Sequence, residues 1–138
     1  MRGSSERNVL SLSPRTAAIK AVLDARPGAV AEPTGPPRAA APSALLYKVM
    51  GKLFAILSIR GIEAVSLKCD PHLAEILREQ YAGVGHRYHL DRRHWISVSL
   101  DADVPAEEIE RLAAQSYDLV CANLTRQQKA ELAASAAR

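Results

Sequence analysis

Cysteine, aromatic residues and long apolar runs are all scarce in this sequence. Cys69 and Cys121 are its two cysteines, so no disulfide framework holds it together, and free thiols point to a reducing compartment. One Trp, one Phe and four Tyr make up 4% of the chain, so aliphatic side chains must build most of the core. No apolar run approaches the roughly 18 residues of a membrane-spanning helix, and no membrane is expected as a partner. Arg2 and Arg7 are not followed by a continuous apolar stretch and a small-residue cleavage site, so no secretory leader is expected. P-loop, dinucleotide glycine fingerprint, HExxH and GxSxG motifs are all absent, which argues against an enzyme. The expectation is a cytoplasmic protein without catalytic residues or cofactor.

The 138 residues are enough for one domain, with 48% hydrophobic and 24% charged residues, close to the globular average. The net charge of +3 is uneven. Residues 1–43 carry six basic and three acidic side chains, residues 44–100 eight and five, and residues 101–138 four and seven. The middle is mildly basic and the end acidic. A pI near 9.1 permits a polyanionic partner without demanding one.

Residues 1–13 read as a flexible N-terminal segment and 14–138 as one domain. Ser13 and Pro14 cap and open a helix over 14–25, with Ala18, Ala21, Val22 and Ala25 on one stripe and Ile19 and Leu23 beside it. Residues 26–43 hold five prolines and read as a crossing loop. Ala44–Val49 and Leu53–Ile59 read as strands joined at Met50-Gly51-Lys52, with Gly51 taking the unusual dihedrals. Ala64–Lys68 reads as a third strand, Val65 and Leu67 inward, Ser66 and Lys68 outward. Asp70 caps a helix through Tyr81 with Leu73, Ile76, Leu77 and Tyr81 as its stripe. A short strand is expected over Arg87–Leu90, a polar turn over Asp91–His94, and a strand over Trp95–Leu100. A long helix then presents Ile109, Leu112, Ala113, Val120 and Leu124. Thr125 and Gln128 form a capping box opening a last helix. This order predicts an α+β fold with an antiparallel sheet.

Several stretches, in this order, resemble the MmcQ/YjbR family: Arg26-Pro27-Gly28-Ala29; Tyr47 through Ala55; Ser66-Leu67-Lys68-Cys69-Asp70-Pro71; Tyr88-His89-Leu90 to His94-Trp95-Ile96; and Ser116 through Val120. The resemblance covers about residues 16–132. It departs in the Pro- and Ala-rich residues 34–43, and at His86, where related sequences often have proline. The resemblance implies a frataxin-like (CyaY-like) fold, an antiparallel sheet with helices packed on one face. It also implies DNA binding of the double-wing kind, a label members commonly carry.

Four constellations compete for a function. If helices cover the side bearing Val65, Leu67, Ile96, Val98 and Leu100, the open side shows Ser66, Lys68, Trp95, Ser97 and Ser99. Lys48, with Arg87 or His89, joins them, and Lys52 extends the set. Cations release counterions from phosphates, hydroxyls contact them neutrally, and a Trp stacks bases. The alternative is that Trp95 is half-buried beneath residues 26–43. The cluster His86, Arg87, His89, Arg92, Arg93 and His94 is either a phosphate-gripping wing tip or a solvated turn. Cys69-x2-His72 and His86-x2-His89 have metal-ligand spacing, but Arg87 inside the second pair opposes a cation, and no metal is expected. Asp101, Asp103, Glu107 and Glu108 form an acidic run, which reads as first-turn acid against a helix dipole. The leading expectation is a DNA-binding protein, double-stranded DNA being the partner, acting as a monomer or weak dimer. The competing expectations are a protein- or peptide-binding adaptor on the same face, and a frataxin-like metal or small-ligand binder.

Overall fold

The computed structural model describes residues 12–87 and 89–136. Most of the expected flexible N-terminal segment, residues 1–11, lies outside the described residues. Ser13 lies inside them and caps helix α1 (Pro14–Asp24), its Oγ accepting the Thr16 N–H at 3.3 Å. Pro14 takes the first helical position, where no N–H is missed. The buried stripe of α1 is Thr16, Ile19 and Leu23. The expected alanine stripe is thus corrected: Ala18, Ala21 and Ala25 are exposed and Val22 half-buried. The longer side chains remove more apolar area from water and take the core side.

Strand β1 (Ala29–Thr34) occupies part of the expected loop. It pairs antiparallel with β2 (Ala44–Val49), Ala29 opposite Val49 through Thr34 opposite Ala44. Every residue of β1 after Ala29 is exposed. It is an edge strand, so Pro33 costs the sheet no interior rung. The following hairpin turns at Met50 and Gly51, with φ of 50° and 79°. Two consecutive positive φ values make a primed turn, whose twist matches the strands it joins. Met50 as well as Gly51 therefore sits in the left-handed region.

The other arm is β3 (Lys52–Ser58). Tyr47 pairs with Ala55 and Lys48 with Leu53, which leaves Phe54 as an extra, bulged residue. Strand β4 (Ala64–Lys68) pairs with β3, and the pairing stops at Ala55–Leu67. Helix α2 (Pro71–Gln80) follows, Asp70 Oδ2 accepting the N–H groups of His72 and Leu73 at 3.0 and 3.1 Å. Its buried residues are Ala74 and Leu77, while Ile76 is exposed and Leu73 and Tyr81 are only half-buried. The edge strand β5 falls at Val84–Gly85, upstream of the expected Arg87–Leu90. Asp103 dictates this, its two carboxylate oxygens accepting the N–H groups of Ala82 and Gly83 at 2.8 and 2.7 Å. That bond pair sets the chain beside β6 (Trp95–Ser99), Val84 opposite Val98. The sheet is six-stranded and antiparallel throughout, in the order β1-β2-β3-β4-β6-β5.

Helix α3 (Ala106–Ala122) buries Ile109, Leu112, Ala113, Ser116, Tyr117 and Val120. The apolar residues buried by α1, α2 and α3 join Tyr47, Leu57, Val65, Leu67, Ile96 and Val98 of the sheet in one core. Phe54 meets Tyr117 edge-on at 5.3 Å and 86°. Ser116 was not expected in this face. Its hydroxyl donates to Phe54 C=O at 2.6 Å and accepts the Lys68 N–H at 2.8 Å. It fills the rung lost where the bulge parts β3 from β4. The last helix, α4 (Arg126–Ala136), starts at the expected capping box, both reciprocal Thr125–Gln128 bonds measuring 3.0 Å. Among its described side chains, Leu132 and Gln128 are half-buried. Leu132 rests where Gly28 (φ 73°) has no Cβ: a methyl there would stand 2.4 Å from Leu132 Cδ1.

Ser116→Ala should orphan two buried backbone groups and cost about 2–4 kcal/mol, read as a lower urea midpoint at unchanged m. A loss under about 0.5 kcal/mol would refute the bridging role. The N–H donors of Gly83 and Ala82 hold the Asp103 carboxyl below the usual carboxylate range. Folding therefore favours its charged form. That stability is complete above the ordinary value of about 4 and is lost as pH falls through the lowered folded value. Asp103→Ala should lower Tm at neutral pH and flatten the decline of Tm between about pH 5 and 3; parallel Tm curves would refute it.

Candidate nucleic-acid interface

Strand pairing arranges the side of the sheet away from the core in three rows. At one end run Thr34, Ala44, Ser58, Ala64 and Ser99; through the middle, Glu32, Leu46, Ile56, Ser66 and Ser97. At the other end stand Val30, Lys48 and Leu53 on β1, β2 and β3, and Lys68 directly across from Trp95 on β4 and β6. Both lysines and the tryptophan thus lie at the end of the sheet where the β2–β3 hairpin turns. The turn over residues 91–94 adjoins the same end, since the Cys69 N–H donates to His94 C=O at 2.7 Å.

This face is less open than its composition predicts. Ser66 has outward parity but is 1% exposed, and Ile56 beside it 6%. Arg87 reaches over the same face. Its Nη1 donates to Ser58 Oγ at 2.7 Å, which carries it from beyond β5 across β6 and β4 to β3. Arg87 is thus a strap on the face, engaged with the protein itself. His89 is exposed in the turn that follows; Tyr88, quoted for the family resemblance, lies outside the described residues.

Trp95 is half-buried on this face. The proline-rich stretch does not cover it, because β1 and its return loop lie at the far edge with three strands between. Lys48 Nζ lies 3.0 Å from Glu32 Oε1, a half-exposed pair worth about 0–1 kcal/mol. Lys52 pairs across from Val49, a core residue, and is itself exposed at the hairpin end, so it leaves the open face for the other side of the tip. Arg92 and Arg93 are exposed. Their turn is shaped by Asp91, whose carboxylate accepts the Arg93 N–H at 2.9 Å and meets His94 Nδ1 at 2.6 Å. The bond to His94 and then that to the Arg93 N–H hold Asp91 below the usual carboxylate range.

Arg78 was missed by sequence reading. From α2 its Nη2 donates to Trp95 C=O at 2.9 Å and to Arg92 C=O. One guanidinium thus fixes the arginine turn to the start of β6. No helical periodicity marks it, because the acceptors are backbone carbonyls fourteen and seventeen residues away. Glu32 has no such signal either, because residues 26–43 read as a loop in the sequence.

The expected metal-spacing residues are not brought together. Cys69 and His72 lie at the hairpin end of the sheet, while His86 lies with Ala64 and Ser99 at the other. Burial pushes the Cys69 thiol up to about 11, the form least suited to ligation. Among the described residues, no three His, Cys, Asp or Glu side chains gather as a metal site. In the acidic run, Asp103 ties the backbone before β5, and Glu108 pairs with Arg111.

A six-stranded antiparallel sheet with helices on its buried side and an arginine-bearing turn at one end defines a class of small α+β domain. Within it, the chain belongs to the YjbR family, whose model matches residues 25–119. It is 40% identical over 86 residues to the uncharacterized protein YjbR of Escherichia coli K12, covering 62% of this chain and 72% of that one. It is 38% identical over 75 residues to uncharacterized YyaQ of Bacillus subtilis, covering 54% and 63%. The crystal structure of Deinococcus radiodurans protein DR2400, family-model domain DUF419, matches with a TM-score of 0.73 at 31% identity, over 85% of this chain and 86% of that one.

Proposed function

We propose that this protein is a cytoplasmic, non-catalytic nucleic-acid-binding domain, with DNA as its partner. The observation that carries this reading is the convergence of Lys68, Trp95, Arg92 and Arg93 at one end of the sheet, with Lys48 one displaceable pair away. Arg78 anchors the turn from behind, so the two arginines meet a partner from a fixed backbone. Cations there neutralise phosphates and release counterions, and the tryptophan offers a stacking plane. Neither needs a particular sequence. No described helix is long and apolar enough to cross a membrane.

Fluorescence anisotropy of a labelled random duplex and a labelled single strand tests this at low and moderate salt. Micromolar binding that weakens steeply with salt is expected. Replacing both Arg92 and Arg93 by Ala should weaken duplex binding about equally across sequences and reduce the salt slope by about 2. Trp95→Ala should weaken single-strand binding by about 1–3 kcal/mol at little cost in Tm. No binding at low salt, where attraction between charges is strongest, would overturn the reading. Salt-insensitive capture of a protein partner on this face would favour the adaptor instead.

A further inference from the structure

Beside the arginine turn, α2 and residues 92–93 enclose a groove of about 560 Å3, lined chiefly by His72, Glu75, Arg78, Glu79, Arg92 and Arg93. Glu75 and Glu79 stand one helical turn apart on α2. Among the described residues, neither carboxylate is held in an ion pair, and neither are Arg92 and Arg93. All four side chains belong to exposed residues. The groove therefore presents two acceptors from the helix and two donors from the turn, none of them held in an ion pair.

That combination is wrong for a phosphate alone, which the two carboxylates repel. It fits a neutral group with acceptors on one edge and donors on the next. Guanine is such a group: O6 and N7 take an arginine fork, and the N2 amino group, with the N1–H beside it, meets a carboxylate. In a duplex the N1–H and one N2–H are spent on cytosine, so the base must be unpaired. We propose that this groove receives an unpaired guanine, its O6/N7 edge on Arg92 and Arg93 and its N1/N2 edge on Glu75 and Glu79. This rests on the nucleic-acid reading above. It adds a base preference and a single-strand preference to a surface otherwise blind to sequence.

The test is competition anisotropy with thymidine oligonucleotides of one length, carrying one central guanine, adenine, cytosine or hypoxanthine, or no substitution. The guanine strand should bind about tenfold more tightly than the unsubstituted one, as one good bidentate contact allows. Hypoxanthine, which lacks the N2 amino group, should lose part of that gain. A variant carrying both Glu75→Gln and Glu79→Gln should lose the preference while binding the unsubstituted strand at least as tightly, since two repulsive charges are gone. A preference that survives in this variant, or equal binding of all strands, overturns the guanine site and leaves the nucleic-acid reading standing. No binding of any strand at low salt overturns both. The substituted residues are exposed, and an unchanged Tm separates loss of the site from loss of the fold.

Discussion

Where β3 and β4 part at the Phe54 bulge, a single hydroxyl keeps the sheet continuous. Ser116 joins Phe54 C=O to the Lys68 N–H from the helix above. The bulge turns Phe54 onto Tyr117, so the helix, the aromatic cluster and the strand ladder meet at one place. The residue whose backbone is held there is Lys68, which stands across from Trp95. The packing of the core and the placing of the exposed cation are thus one arrangement. A buried polar group of this kind is stabilising only because both of its bonds are made.

The same economy recurs around the arginine turn. Asp91 shapes it locally, Arg78 ties it to α2, and the Cys69–His94 bond ties it to β4. Each fixes backbone and leaves the guanidinium groups of Arg92 and Arg93 outside. Arg87 does the reverse, spending its charge on Ser58 to close part of the sheet. Two neighbouring stretches of basic sequence therefore have opposite roles, one structural and one presented to solvent.

Elements with strong local signals were readable in the sequence: the Ser13-Pro14 and Asp70-Pro71 helix starts, the Thr125–Gln128 box, and the alternation of β4 and β6. Elements set by distant partners were not. Strand β1 contains Pro33 and exposes nearly every side chain, so it has no apolar alternation to find, and only pairing with β2 makes it a strand. Strand β5 depends on a carboxylate about twenty residues downstream. In α1, periodicity marked a helix but not its face, because alanines and leucines share the same spacing; in α2, Leu73, Leu77 and Tyr81 face the core as expected and only Ile76 does not. Within the site, residue types suggested the basic set. Their separation into strap (Arg87), paired cation (Lys48) and exposed pair (Arg92, Arg93) follows from contacts that no spacing encodes.

The C-terminal helix joins the rest through few contacts. Among its described side chains, Gln128 and Leu132 are half-buried, and Leu132 rests over the space left by Gly28. Such an element opens by local unfolding at a free energy well below that of the whole domain. Its backbone amides would exchange with solvent as a separate unit while the sheet stays protected. Because the contact passes through Gly28, next to β1 and Val49, α4 rests beside the turn end of the β2–β3 hairpin, and its opening would bare that flank.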